Sequence, residues 1–339
     1  MNYGNKALKK VIKNISKWLF PLLIAAAILI YMYHDFDFRG TWELLRGNTN
    51  LVWLFVSLIF ILLSHYLRGI RWLLTLESIH YRPRTINSVL SIYVAYASNI
   101  LVPRVGEVSR CGVLTKYDGI PFSKSLGTLV AERIVDFLLA MLIFLVMLVC
   151  QFDKLVSFFD KTGTRSGTLS TLLHSPWFYV VIVVITALVF LIRYLFKRSK
   201  NSAVAGVKRT FDNFVEGFVS LKKIRRPWLF ILYTLLIWLC YYLEFYICFY
   251  SFPFTSSLGP VAAAVIFAAI NVAVIVPTPN GAGPWHFVVI TLLCMYGVSE
   301  ADAGSFALIV HTFQSMFVLL FGAIAWILLQ LINRKHHEN

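Results

Sequence analysis

The segment "NILVPRVGEVSR", Asn99 to Arg110, sets two arginines, a glutamate, a proline and a glycine between two strongly apolar stretches. Its reading decides the fold, because charge and helix breakers stand where a hydrophobic run should be completing a span. Hydrophobic residues make up 59% of the 339, charged residues only 14%, and the mean hydropathy is +0.74. A soluble domain is nearer half apolar and a quarter charged. Apolar runs of roughly 17 to 25 residues, each able to cross about 30 Å of hydrocarbon, recur along the whole chain. The chain therefore reads as an all-α, polytopic helical membrane protein, one integral domain over residues 1–339.

The formal charge of +15 does not point to nucleic acid. The basic residues cluster in short segments between apolar runs, which is how positive-inside topology is written, and no recognition module accompanies them. The five cysteines (Cys111, Cys150, Cys240, Cys248, Cys294) show no CxxC spacing. Neither a zinc site nor a disulfide framework is expected, and no metal or cofactor.

Lys6, Lys9, Lys10, Lys13 and Lys17 place the N-terminus in the cytoplasm. A first span, Trp18 to His34, reads as uncleaved because its small residues lie inside the apolar run. A second, Leu51 to Leu67, returns and delivers Arg68, Arg71, Arg82 and Arg84 to the cytoplasmic surface, so "YLRGIRW" reads as an interface device. The span Ser125 to Cys150 must start inside, because the charge-balanced loop Gln151 to Ser175 is external. Trp177 to Phe196 then leads back to the most basic loop, where Val207, Phe211, Phe214 and Phe218 form an amphipathic face suited to anionic headgroups. Asn87 to Asp118 thus enters and leaves from the cytoplasmic side, with a short first arm and a polar second arm: a re-entrant hairpin.

The second half runs in parallel. Trp228 to Tyr250 goes outward and Phe306 to Ile332 comes back, so both termini are cytoplasmic. Between them Leu258 to Gly297 is broken by "VPTPNGAGP", Val276 to Pro284, which continuous helix does not tolerate. Parity leaves open whether this piece is a hairpin or two complete spans. Each half reads span, span, broken segment around a Val-Pro, span. The expected architecture is about six full spans plus two broken hairpins in an inverted repeat, with halves of about 1–150 and 177–335. In transporters such paired breaks point to a midplane binding site.

Ionisable groups at membrane depth need a partner or a role. If Pro103 opens a short helix, Arg104, Glu107 and Arg110 line one face as a plus–minus–plus ladder suited to an anionic phosphate. Anchoring of the hairpin is the competing role. In "AERIVD", Glu132 and Asp136 stand one turn apart; Arg133 is placed to serve Asp136, and Arg104 or Arg110 to reach Glu132. Such a network either holds the hairpin or gates it. At the second break, Asn280, Gly281, Gly283, Trp285 and His286 join Asn99, Arg104, Glu107 and Arg110 as candidate substrate-binding residues. Glu132, Arg133, Asp136, Glu244, His311 and Gln314 are candidates for gating or a charge network, and Ser315 shares a face with His311 and Gln314.

The ordered set "RGIRW", "NILVPRVGEVSR", "AERIVD" and "VPTPNGAGPWHF" resembles the flippase-like membrane domain family, also called the lysylphosphatidylglycerol synthase transmembrane region. The resemblance spans nearly the whole chain. It implies a bacterial or archaeal polytopic protein of the cytoplasmic (inner) membrane that moves lipid between leaflets. Some members carry a soluble aminoacyl-transferase; here the sequence stops at Asn339 without one, so lipid lysylation by this chain is not expected. The second break is often followed by a glutamate in the family, and His286 stands near that place.

The expected function is translocation of a phospholipid or lipid-linked envelope intermediate with an anionic headgroup, and the chain is expected not to be an enzyme. The rivals are a membrane transferase on a lipid-linked substrate and a non-catalytic partner of an envelope enzyme. No DxxD-like pair in the cytoplasmic loops supplies the acidic cluster a transferase would need.

Overall fold

A computed structural model describes residues 26–31, 33–34, 36–150, 212, 215, 219–276 and 278–334. Most of the first span, the span Trp177 to Phe196 with its flanking loops, the amphipathic basic segment and Pro277 lie outside the described residues.

The described chain is helical, with no strand among the described residues. A short α1 (Phe38–Gly47) precedes α2 (Leu51–Glu77), capped by the Asn50 side chain on the Val52 amide. Then come α3 (Thr85–Leu101), α4 (Val105–Asp118) and the 29-residue α5 (Phe122–Cys150). The second half holds α6 (Pro227–Ile247), α7 (Pro260–Ala273), α8 (Pro284–Met295) and α9 (Glu300–Arg334). Pro occupies the first turn of α6, α7 and α8, where its missing N–H costs nothing. Among the described residues, three stretches are long and apolar enough to cross a membrane: Leu51–Glu77, Pro227–Ser251 and Glu300–Asn333. Their outer faces carry exposed apolar stripes: Phe55, Ile59 and Leu63 on α2, Ile231, Leu235 and Leu239 on α6, Leu320, Ile324 and Ile327 on α9. An apolar exterior at helical spacing is a surface solvated by lipid.

The first break is a helical hairpin. α3 and α4 are 17 and 14 residues long, below the roughly 20 that a span requires, and they pack on each other. The helix does not open at Pro103, as the sequence suggested, but at Val105. The chain reverses within three residues, and Arg104 takes the left-handed conformation (φ 62) that makes the reversal possible. Asn99 Oδ1 accepts from the Gly106 amide at 2.8 Å and closes the tip. At the feet, Asp118 accepts from the Arg84 amide and from Asn87 Nδ2, and Asn333 Nδ2 donates to Asn87 Oδ1.

α3 is hemmed in at close range. A methyl at Gly106 would overlap the Ala95 carbonyl oxygen, one at Gly322 would overlap Ala97, and one at Gly69 would come within 2.7 Å of Val89 Cα. Three glycines on α4, α9 and α2 therefore let three backbones approach one helix, as small residues do in membrane interiors. The face of α3 so enclosed is polar: Asn87, Ser88 and Ser91 are fully buried, and Ser88 Oγ donates to the Gly69 carbonyl.

The second break also separates two short helices, α7 and α8, of 14 and 12 residues. A single 3-10 turn, Pro279–Gly281, lies between them, with Asn280 left-handed at φ 49. Neither helix reaches the length of a full span. A large apolar cluster built on Leu54, Phe245, Phe249, Phe306, Val289 and Leu293 packs this half, and smaller ones around Trp72 and around Val94 pack the first hairpin.

Candidate functional site

A buried charge cluster ties the first hairpin to α2, α5 and α6. Asp136 on α5 accepts from Arg68 Nη1 at 2.8 Å and from Arg71 Nη1 and Nη2 at 2.7 and 3.1 Å. One turn earlier, Glu132 accepts from Arg110 Nη2 of α4 at 2.7 Å and lies 3.5 Å from Arg71 Nε. The helix that carries both carboxylates is thus held by cations from two others, which removes the repulsion expected of stacked acids. The Arg110 guanidinium lies over the Trp72 ring at 4.1 Å, and that of Arg71 stands 5.2 Å from the centre of Phe230. Trp72 Nε1 donates to Thr128, and Arg71 Nη1 also donates to Thr234. Arg68 Nε donates to Tyr241, whose hydroxyl meets that of Tyr96, and His65 stacks on Tyr96 at 3.9 Å.

The pairing differs from the sequence expectation at three points. Arg133 does not serve Asp136; its guanidinium turns outward to Glu107 at 3.0 Å, and this pair is about one-third exposed. The Arg104–Glu107–Arg110 ladder does not form, because Arg104 precedes the helix in a left-handed conformation while Arg110 is drawn inward to Glu132. Arg68 and Arg71 are not surface charges: α2 continues to Glu77 and both are buried. Arg110 reaching Glu132 is as expected.

Arg104 instead bridges the breaks. Its Nη2 donates to the Ile275 carbonyl at 3.4 Å, just past the end of α7. The turn Pro279–Gly281 also packs against α3. Asn280 Nδ2 donates to Ser315, and the Asn280 carbonyl lies 3.2 Å from His311 Nε2. His311 in turn stands 4.5 Å from His286, whose ring is buried against Tyr33 and whose Nδ1 has no hydrogen-bond partner among the described residues. Gly281 and Gly283 both have positive φ, and Trp285 packs against His311 and Phe245. Gln314 Nε2 reaches Cys248 Sγ at 3.6 Å, while His311 and Ser315 both meet Asn280.

Two cavities flank residues 26–31 and 33–34 where they meet the second break. One of about 580 Å³ is apolar, lined by Ile28, Tyr31, Ala273, Val276 and Phe287. The other, about 460 Å³, is lined by Tyr33, His34, His286, His311 and Thr312. No hydrogen bond or ion pair among the described residues joins His286 or Glu244 to the arginine cluster. The candidate residues thus fall into three places: the buried cluster, the contact between the breaks, and the histidine cavity.

All four motifs fall inside a family match. Residues 18–322 match the family model described as the lysylphosphatidylglycerol synthase TM region. The chain belongs to that family. Membership makes it a membrane protein tied to lipid metabolism. No curated protein and no solved structure matches it. In this member of the lysylphosphatidylglycerol synthase TM-region family, the Arg-x-x-Arg of α2 and the Glu-Arg-x-x-Asp of α5 are two sides of one buried cluster. Thr234, Tyr241, Tyr96 and His65 complete it, and nothing in the sequence singled these out.

Proposed function

We propose that the protein moves a phospholipid or lipid-linked envelope intermediate with an anionic headgroup between the leaflets of the bacterial cytoplasmic membrane. The observation that carries this reading is a surplus of buried cations beside the first break. Among the described residues, Arg68, Arg71 and Arg110 face only the carboxylates of Glu132 and Asp136, and Nε of both Arg71 and Arg110 donates no hydrogen bond. Arginine stays charged in proteins, so one positive charge is left over at membrane depth, where a phosphate is its natural complement. The headgroup passes where the breaks meet, at Arg104, Glu107 and Asn280, while the chains remain in the bilayer.

In this proposal the hairpins are re-entrant, entering from opposite sides as the equivalent parts of two inverted halves, and both termini are cytoplasmic. The shortness of α3, α4, α7 and α8 supports it, as does the contact between Arg104 and Ile275. Single cysteines at Ser123 and Ser257 are expected to react with impermeant maleimide from the inside and the outside of spheroplasts respectively. Labelling of both from one side would sink the inverted arrangement.

Arg104 gives the direct functional test, because its backbone and its charge pull in opposite directions. Arg104→Gly relieves a left-handed residue, which costs a side chain roughly 1–2 kcal/mol, so stability should hold or rise. Leaflet exchange of fluorescent phosphatidylglycerol in proteoliposomes should nonetheless fall at least tenfold, and Arg104→Lys should retain part of it. Unchanged exchange in Arg104→Gly would remove the proposed headgroup contact.

A further inference from the structure

Glu244 lies within the membrane-length stretch Pro227–Ser251, seven residues before its end. It differs from the other acids of the helical interior. Glu107, Glu132 and Asp136 each hold an arginine, whereas no cation among the described residues pairs with Glu244. The groups around it are neutral hydrogen-bonders. Its own helix presents the thiols of Cys240 and Cys248, and Cys248 Sγ donates to the Glu244 carbonyl at 3.2 Å. Ser57 of α2 and Gln314 of α9 approach the same place through Cys248. Arg68 reaches α6 one turn away, at Tyr241, but is committed to Asp136.

A carboxylate left without a counter-charge at this depth costs several kcal/mol, which a proton removes at once. A metal ion is a poor alternative occupant: no group of three or more His, Cys, Asp or Glu among the described residues is placed to share one. Glu244 as a residue is only partly buried, so its carboxyl is not sealed in the packed core. We infer that Glu244 is a proton-binding site, protonated in the structure described here and exchanging that proton with water as the protein works, so that lipid movement is proton-linked.

The second half of this inference rests on the translocation reading; the first does not. Purified protein in lipid nanodiscs at neutral pH is treated with dicyclohexylcarbodiimide, which modifies protonated carboxyls in apolar surroundings. Peptide mapping is expected to find Glu244 modified and the arginine-held Glu132 and Asp136 unmodified. The infrared spectrum of wild type minus Glu244→Gln should show a protonated-carboxyl C=O band, a readout that does not depend on reagent access. Absence of that band overturns the assignment. In proteoliposomes, an imposed pH gradient should change phosphatidylglycerol exchange several-fold in wild type and leave Glu244→Gln, which mimics the protonated acid, unaffected. Exchange that ignores the gradient in wild type overturns the coupling. No exchange in wild type under any gradient would refute the translocation reading and leave the proton site standing on its infrared band.

Discussion

Asp136→Asn is expected to destabilise the protein by about 3–5 kcal/mol, the cost of removing one partner from a buried ion pair. Asparagine preserves the shape and one acceptor, but its amide group presents N–H to the two guanidiniums that Asp136 now binds at 2.7 to 3.1 Å. Arg68 and Arg71 cannot shed their protons, and Arg110 is already committed to Glu132, so three buried cations would face one carboxylate. The loss should appear as a lowered midpoint of thermal unfolding in nanodiscs. Glu77→Gln, which breaks the exposed pair with Arg82, should change that midpoint little. If the two variants unfold together, the cluster does not hold the helices.

The other large effect concerns a residue without a side chain. Gly106→Val places atoms on the Ala95 carbonyl oxygen and against Asn99, so α3 and α4 must separate at the tip. Overpacking of this kind costs about 1–3 kcal/mol, occasionally more. The damage spreads further, because the Gly106 amide closes the turn onto Asn99 and Arg110 lies one turn along. Moving α4 away would pull Arg110 from Glu132 and leave that buried carboxylate with only Arg71, at 3.5 Å. Gly112, on the same helix, faces open space, and Gly112→Val is expected to be near neutral. Yield of monodisperse protein and proteolysis at the hairpin should separate the two variants. Equal behaviour would show that the arms are not in close contact.

The breaks were legible because proline and glycine interrupt apolar runs too short to span. That Glu132 would draw a cation from the first break was legible, with Arg104 and Arg110 as alternatives; Arg110 is the one that reaches it. Arg68 and Arg71 were misplaced for a physical reason: a hydropathy window treats every arginine as solvated, and here two of them sit inside the helix bundle. The signal that α2 continues was the apolar run that follows them, Trp72 to Leu76, with Arg71 and Thr75 at helical spacing. The Arg104 ladder failed because a reversal in three residues demands a left-handed residue just where helix was expected to begin. The positions of Gly69, Gly106 and Gly322 carried no readable meaning, since close approach depends on which backbone comes opposite.

Those three glycines have a mechanical consequence. α3 meets glycine backbone on α2, α4 and α9 with no side chain on the facing helix to slide or re-pack, so it is seated like an axle in three bearings. A hairpin held this way cannot swing as a separate flap. On the translocation proposed above, a route past Arg104 would have to open from the other side of the contact, by movement of the second break against the first.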